Sequence, residues 1–108
     1  MEVKQLDVHE LKSKLDSENP PVLLDVREKA EREFTNIKGE FIPLGELPDR
    51  TGELADHKDK EVVIYCRSGA RSAEACKLLQ QEGFSDVKNL EGGLLAWSQE
   101  IDPSIPQY

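Results

Sequence analysis

An apolar run, Val62 to Tyr65, leads directly into Cys66-Arg67-Ser68-Gly69-Ala70-Arg71-Ser72 and then into a stretch of helix formers that ends at Gly83. No other part of the chain limits the fold as strongly. The run is β-branched and aromatic and follows a charged segment, so it predicts a strand buried on both faces, as in a parallel sheet. Ser72 to Glu82 predicts the helix, with Gly83 standing where its C-terminus is expected. The loop between them then lies at the carboxyl edge of an α/β sheet.

A loop in that position is a ready-made anion site, because unpaired backbone N–H groups and the helix dipole both favour negative charge. A cysteine there ionises easily, with a pKa in the range of roughly 3.5–7.5 found beside helix N-termini and cations. Arg67 and Arg71 add cationic donors, and Gly69 permits a turn with positive φ. Cys66 therefore reads as a nucleophile whose anionic form is held by the amides of Arg67, Ser68, Gly69, Ala70, Arg71 and Ser72. Cys76, ten positions on, shares an apolar helix face with Leu79 and reads as a core residue.

The rest of the chain supplies the other elements. Val3–Leu6 predicts a short strand. Asp7 is an N-cap with Glu10 at capping-box spacing, opening a helix with Val8, Leu11 and Leu15 on one face and His9 on the other. Asn19-Pro20-Pro21 breaks that helix, and Val22–Val26 is a second buried strand closed by Asp25 and Arg27. Those two residues read as a structural brace, with Glu91 as a further partner for Arg27. Lys29–Phe34 predicts a polar helix and Phe41-Ile42 a short strand. Leu44–Leu47 starts a helix that Pro48 interrupts or restarts. In the polar stretch that follows, Leu54 and Ala55 are the expected inward anchors and His57 lies at the surface. Val87–Leu90 is the last strand, and Gly92 and Gly93 allow the next turn to approach the cysteine loop closely. Leu94–Glu100 is the final helix, with Trp97 against the core. Residues 102–108, with two prolines, predict an extended tail.

At 108 residues the chain fits one domain, residues 1–108, large enough for a core without disulfides or metal. A net charge of −8 argues against nucleic acid and anionic membrane as partners. No apolar run reaches transmembrane length, and the first residues lack signal-peptide character. Two cysteines form neither a disulfide framework nor a zinc site, and a reactive thiol suits a reducing cytoplasm. There is no internal repeat, no low-complexity segment and no motif for a metal, nucleotide or other cofactor.

The segment Cys66 to Ser72 resembles the active-site loop of the rhodanese (sulfurtransferase) family. Leu23-Leu24-Asp25-Val26-Arg27 resembles the family's early Asp-Val-Arg strand, Ile42 to Leu47 its central segment, and Asn89 to Trp97 its last strand-to-helix junction. Two positions depart from the pattern: Arg32 stands where the family often has an aromatic, and Asn36 where it often has a histidine. The tail, Glu100 to Tyr108, resembles the C-terminus of rhodanese domains fused to E1-like adenylyltransferases, which handle ubiquitin-like sulfur carriers in molybdopterin and thiamine synthesis. The resemblance implies a rhodanese-like α/β fold, a mainly parallel five-stranded sheet with helices on both faces. It implies a sulfurtransferase that carries sulfane sulfur as a persulfide on Cys66, cradled by Arg67 to Ser72 and supported by Asp25, Arg27 and Glu91. The implied donor is thiosulfate or a persulfide. The implied partners are an adenylyltransferase domain, a ubiquitin-like sulfur carrier or a cysteine desulfurase, with a free-standing thiosulfate sulfurtransferase as the alternative.

Two other classes use a similar loop or fold. Cysteine phosphatases place five residues between cysteine and arginine; here four separate Cys66 from Arg71, a smaller ring that suits one sulfur atom better than a phosphoryl group. Non-catalytic docking modules of rhodanese type usually lack the cysteine. A cysteine-protease reading lacks a histidine expected near Cys66.

Overall fold

The computed structural model describes residues 2–108; Met1 lies outside them. The chain alternates strand and helix: β1 (Lys4–Leu6), α1 (Val8–Leu15), β2 (Val22–Asp25), α2 (Lys29–Phe34), β3 (Glu40–Phe41), α3 (Leu47–Arg50), a 3-10 helix (Thr51–His57), β4 (Glu61–Tyr65), α4 (Ala70–Gln81), β5 (Asp86–Leu90) and α5 (Gly93–Glu100). The five strands form one sheet in the order β1-β5-β4-β2-β3. Every pairing is parallel, as a chain with helical crossovers between strands requires.

The central strand shows why the apolar run is continuous. Val62 and Ile64 face one core, together with Leu24, Leu54, Ala75, Cys76, Leu79 and Val87. Val63 and Tyr65 face the other, with Leu6, Val8, Leu11, Leu90, Leu94 and Trp97. Alternate side chains of β4 thus enter opposite layers, and both layers are covered. α3, the 3-10 helix and α4 supply one cover; α1 and α5 supply the other.

Local signals hold at several ends. Asp7 caps α1 by accepting from the Glu10 N–H at 2.8 Å, and the Glu10 carboxylate accepts from the Asp7 N–H at 3.2 Å. Pro48 lies in the first turn of α3, where its missing N–H costs nothing, so it starts that helix rather than breaking it. α4 begins at Ala70, two residues before the expected start, because Gly69 at φ 108° makes the turn. Leu54 is buried as expected, but Ala55 is exposed: the 3-10 repeat turns it to solvent.

The two departures from the family pattern are both used in packing. The Arg32 guanidinium bonds the main-chain oxygens of Lys38 (3.2 Å) and Gly39 (2.8 Å) and lies over the Phe41 ring. Asn36 bonds the Arg32 oxygen at 3.0 Å and accepts from the Lys38 N–H at 2.9 Å. Together they pin the turn between α2 and β3.

Residues 102–108 do not simply run out extended. Ile105 N–H bonds the Asp102 oxygen at 3.1 Å, and the Ser98 hydroxyl bonds the Ile105 oxygen. That turn returns the chain along α5, and Ile105 and Tyr108 pack against the second core.

Candidate active site

Cys66 is the first residue beyond β4, at the carboxyl edge of the sheet, and is 1% exposed. The turn at Gly69 folds the backbone back, so that the Gly69 N–H points at Cys66 Sγ from 3.1 Å. The Ser72 hydroxyl, in the first turn of α4, lies 3.4 Å from the same sulfur. Burial pushes the Cys66 thiol up, but the Ser72 hydroxyl and the N–H groups of Ser72, Gly69 and Ser68 together outweigh it. The thiol ends below its ordinary pKa. The other cysteine behaves oppositely. Cys76 is fully buried on α4, and burial together with the charge of Cys66 pushes its thiol up to about 12.

The loop is held from behind by two elements. The first two N–H groups of α5 that follow Gly93 donate to the loop: Leu94 to the Cys66 oxygen at 2.9 Å and Leu95 to the Arg67 oxygen at 3.0 Å. Donors a helix start leaves unpaired are thus satisfied by the loop itself. Asn89, 4% exposed on β5, accepts from the Ser72 hydroxyl and donates to the Gly69 oxygen at 3.1 Å. Sequence reasoning missed Asn89. Its signal was present: a polar residue two positions after Val87 on a buried strand shares that residue's inward face.

The two loop arginines do not aim at the sulfur. Arg71 meets both oxygens of Glu31 on α2, at 2.7 and 2.9 Å. Arg67 donates from Nε to the main-chain oxygen of Tyr108, and its guanidinium lies 5.3 Å from the Tyr108 ring centre. The sequence made both arginines cationic donors of the loop; the structure gives their guanidinium groups other partners. The groups found against the sulfur are the Gly69 N–H and the Ser72 hydroxyl, while the Glu31 carboxylate holds Arg71 and the main-chain oxygen of Tyr108 holds Arg67 Nε. Ser68 is exposed, and Ala70 opens α4.

Asp25 and Arg27 form a fully buried pair, with Nε to Oδ1 at 2.9 Å and Nη2 to Oδ2 at 2.7 Å. The remaining Arg27 N–H groups reach the oxygens of Thr35 (2.7 Å) and Glu31 (3.3 Å) and the Tyr108 hydroxyl (2.9 Å). All five guanidinium donors are therefore satisfied. Burial pushes the guanidinium toward deprotonation, but Asp25 and Tyr108 outweigh it and keep it charged. The expected Arg27–Glu91 contact is not formed. Glu91 is exposed, its N–H bonds the Leu6 oxygen at 2.8 Å, and Arg27 has no donor left to offer.

Neither histidine approaches the thiol: His9 bonds Glu100 and His57 bonds Glu40. Among the described residues no group of His, Cys, Asp or Glu is arranged to hold a metal, and no helix is long and apolar enough to cross a membrane. A cavity of about 460 Å³ lined by Glu18, Pro20, Val22 and Lys60 lies where β2 and β4 begin, at the edge opposite Cys66.

A wholly parallel sheet with a cysteine seated at its carboxyl edge places the chain among α/β domains that carry a loop cysteine between a strand and a helix. More particularly, the chain belongs to the rhodanese-like domain family, which matches residues 7–100. It is 40% identical over 104 residues to a sulfurtransferase of Allochromatium vinosum, covering 95% of each chain. It is 34% identical over 113 residues to the adenylyltransferase and sulfurtransferase MOCS3-2 of Zea mays; the match takes in 99% of this chain but only 23% of that protein. The crystal structure of a rhodanese-like domain protein from Staphylococcus aureus superposes with a TM-score of 0.83 at 30% identity, covering 98% of this chain and 99% of the other.

Proposed function

We propose that this chain is a rhodanese-type sulfurtransferase that carries sulfur as a persulfide on Cys66. The observation that carries the reading is the seat of the Cys66 sulfur, with the Gly69 N–H at 3.1 Å and the Ser72 hydroxyl at 3.4 Å at the mouth of a helix. The thiolate attacks the outer sulfur of the donor. A Cys66–sulfur bond forms, the donor's S–S bond breaks, and the donor remnant leaves with the electron pair (sulfite, for thiosulfate). The terminal sulfur of Cys66–S–S⁻ is then an anion facing the amides and the dipole of α4. An acceptor nucleophile attacks that sulfur, and the Cys66 thiolate leaves unchanged. Each half-reaction releases a product, so the kinetics are ping-pong.

The acceptor reading extends this. The fused relative and the tail resemblance support delivery to the adenylated C-terminal glycine of a ubiquitin-like carrier, with a cysteine desulfurase as donor. There the persulfide attacks the acyl-adenylate and AMP leaves. A second thiol then attacks the Cys66 sulfur, and the thiocarboxylate departs with the electron pair. Cys66 is left in a disulfide with that thiol until a further thiol reduces it. The match over nearly the whole of the Allochromatium protein supports the other reading, a single-domain enzyme acting on a small donor. The test is the intact mass of the reduced protein after incubation with thiosulfate, beside Cys66→Ser and Cys76→Ser. A gain of one sulfur that a thiol reverses, absent only in Cys66→Ser, is expected. A gain only with a desulfurase persulfide favours the relay. No gain with either donor removes the sulfurtransferase reading.

A further inference from the structure

The two cations of the Cys66 loop already have partners within the chain. Arg67, next to Cys66, gives its Nε–H to the main-chain oxygen of Tyr108 and lies over the Tyr108 ring. Arg71 is taken by both oxygens of Glu31. The two clamps are joined, because the Tyr108 hydroxyl donates to Glu31 at 2.8 Å and accepts from buried Arg27 at 2.9 Å. The Tyr108 ring also meets Phe34 edge-on at 5.9 Å. Upstream, the Ser98 hydroxyl ties down the Ile105 oxygen and fixes the path of the tail. The residue thus sits in a built seat of two cations, a carboxylate and an aromatic edge.

We propose that Tyr108 is a specificity-determining residue: seated on Arg67 and Glu31, it masks the Arg67 cation and sets the chain against small dianionic sulfur donors. Thiosulfate gains from a free guanidinium and loses when an internal oxygen holds it. A donor recognised through other surfaces does not depend on that group. Glu31 cannot follow an incoming anion, because its carboxylate is already bonded to Arg71, Tyr108 and the Glu28 N–H. Donor discrimination thus falls to the residue that covers Arg67. The assignment rests on the sulfurtransferase reading for its consequence, but the mask itself is testable without it.

The experiment compares the wild-type protein with Tyr108→Ala, Tyr108→Phe and Ser98→Ala. The first readout is the rate of Cys66 alkylation by anionic iodoacetate relative to neutral iodoacetamide. The second is KM and kcat for thiosulfate with cyanide as acceptor. Tyr108→Ala keeps a main-chain oxygen but loses the ring and hydroxyl that seat it on Arg67. With that seat lost the iodoacetate-to-iodoacetamide ratio should rise and the thiosulfate KM should fall by up to roughly tenfold, the factor one charge-assisted hydrogen bond commands, with the change in KM rather than kcat. Tyr108→Phe keeps the ring on Arg67 and loses only the hydroxyl bonds to Glu31 and Arg27, so it should fall between. Ser98→Ala loosens the seat from outside the site and should move both readouts in the same direction, so a poorly folded Tyr108→Ala does not decide the matter. An unchanged ratio and unchanged KM in folded Tyr108→Ala, or in Ser98→Ala should the first not fold, overturns the proposal. A raised ratio in a protein that transfers no sulfur keeps the mask and removes only the sulfurtransferase reading.

Discussion

Gly93 is packed so closely against Arg67 that a methyl group on its α-carbon would come within 2.6 Å of the Arg67 carbonyl. The Cys66 oxygen would be equally near, and Gly93 has φ 58°, a conformation that L side chains rarely adopt. Backbone on both sides leaves nothing flexible to yield. Gly93→Ala must therefore push α5 off the loop, at a cost of at least about 1–3 kcal/mol. For a domain of this size each kcal/mol lowers Tm by roughly 4–8 °C. Thermal melts should show that loss, and sulfur loading of Cys66 should fall more than the melt alone explains, since the bonds to the Cys66 and Arg67 oxygens go with it.

Ser72 has one hydroxyl proton and two neighbours that want it. In the thiol form it serves Asn89; once Cys66 ionises, the same proton can turn to the sulfur. Ser72→Ala removes that donor from the thiolate. The midpoint of Cys66 alkylation against pH should rise, and reaction below neutral pH should slow by about tenfold, the worth of one hydrogen bond to a charged group. Cys76, with its thiol pushed up to about 12, should stay unmodified in the folded protein and react only after unfolding. A midpoint in Ser72→Ala equal to that of the parent would show that the amides alone set the thiolate.

Removing Asp25 leaves a guanidinium buried without its counter-charge. Asp25→Ala should lose about 3–5 kcal/mol in denaturant unfolding, as broken buried ion pairs do. Replacing both partners with apolar residues should recover much of that loss, because the penalty comes from the orphaned charge rather than the missing attraction. A double variant as unstable as the single one would mean that the bonds from Arg27 to Thr35 and Tyr108 matter more than the pair itself.

The link from α2 to the loop should survive mild acid. Arg71 holds the Glu31 carboxyl at about 2, against an ordinary 4.5, with burial opposing and the Glu28 N–H and Tyr108 hydroxyl assisting. A depressed carboxyl stabilises the fold fully above its unfolded pKa and loses that contribution as pH falls toward the folded value. The Tm difference between the parent and Glu31→Gln should be constant from neutral pH down to about 4.5 and should shrink between there and about 2. A difference that vanishes already at pH 6 would count against the Arg71–Glu31 pair.

What the sequence made legible was local or periodic. The uninterrupted run at β4, the capping residues around α1 and the paired glycines before α5 each carry their cause within a few positions. Gly92 and Gly93 even foretold a close approach to the cysteine loop. The roles of Glu31, Asn89 and Tyr108 were not readable in that way, since each depends on a partner between 17 and 81 positions distant. Arg67 and Arg71 read as cationic donors of the loop because spacing shows proximity, not which neighbour wins a guanidinium. Arg27 shows the same limit: the brace was expected, but the carboxylate two positions before it satisfied the charge that Glu91 was expected to meet.

β5 lies between β1 and β4, and the loop at Cys66 is shaped by Asn89, Leu94 and Leu95. During synthesis the ribosome makes the nucleophile between twenty and thirty residues before the groups that brace its loop. Until those residues emerge, β4 has no neighbour on its β5 side and the main-chain oxygens of Cys66, Arg67 and Gly69 have no partners there. The seat of the sulfur is therefore finished from behind, by the last strand and helix to be made.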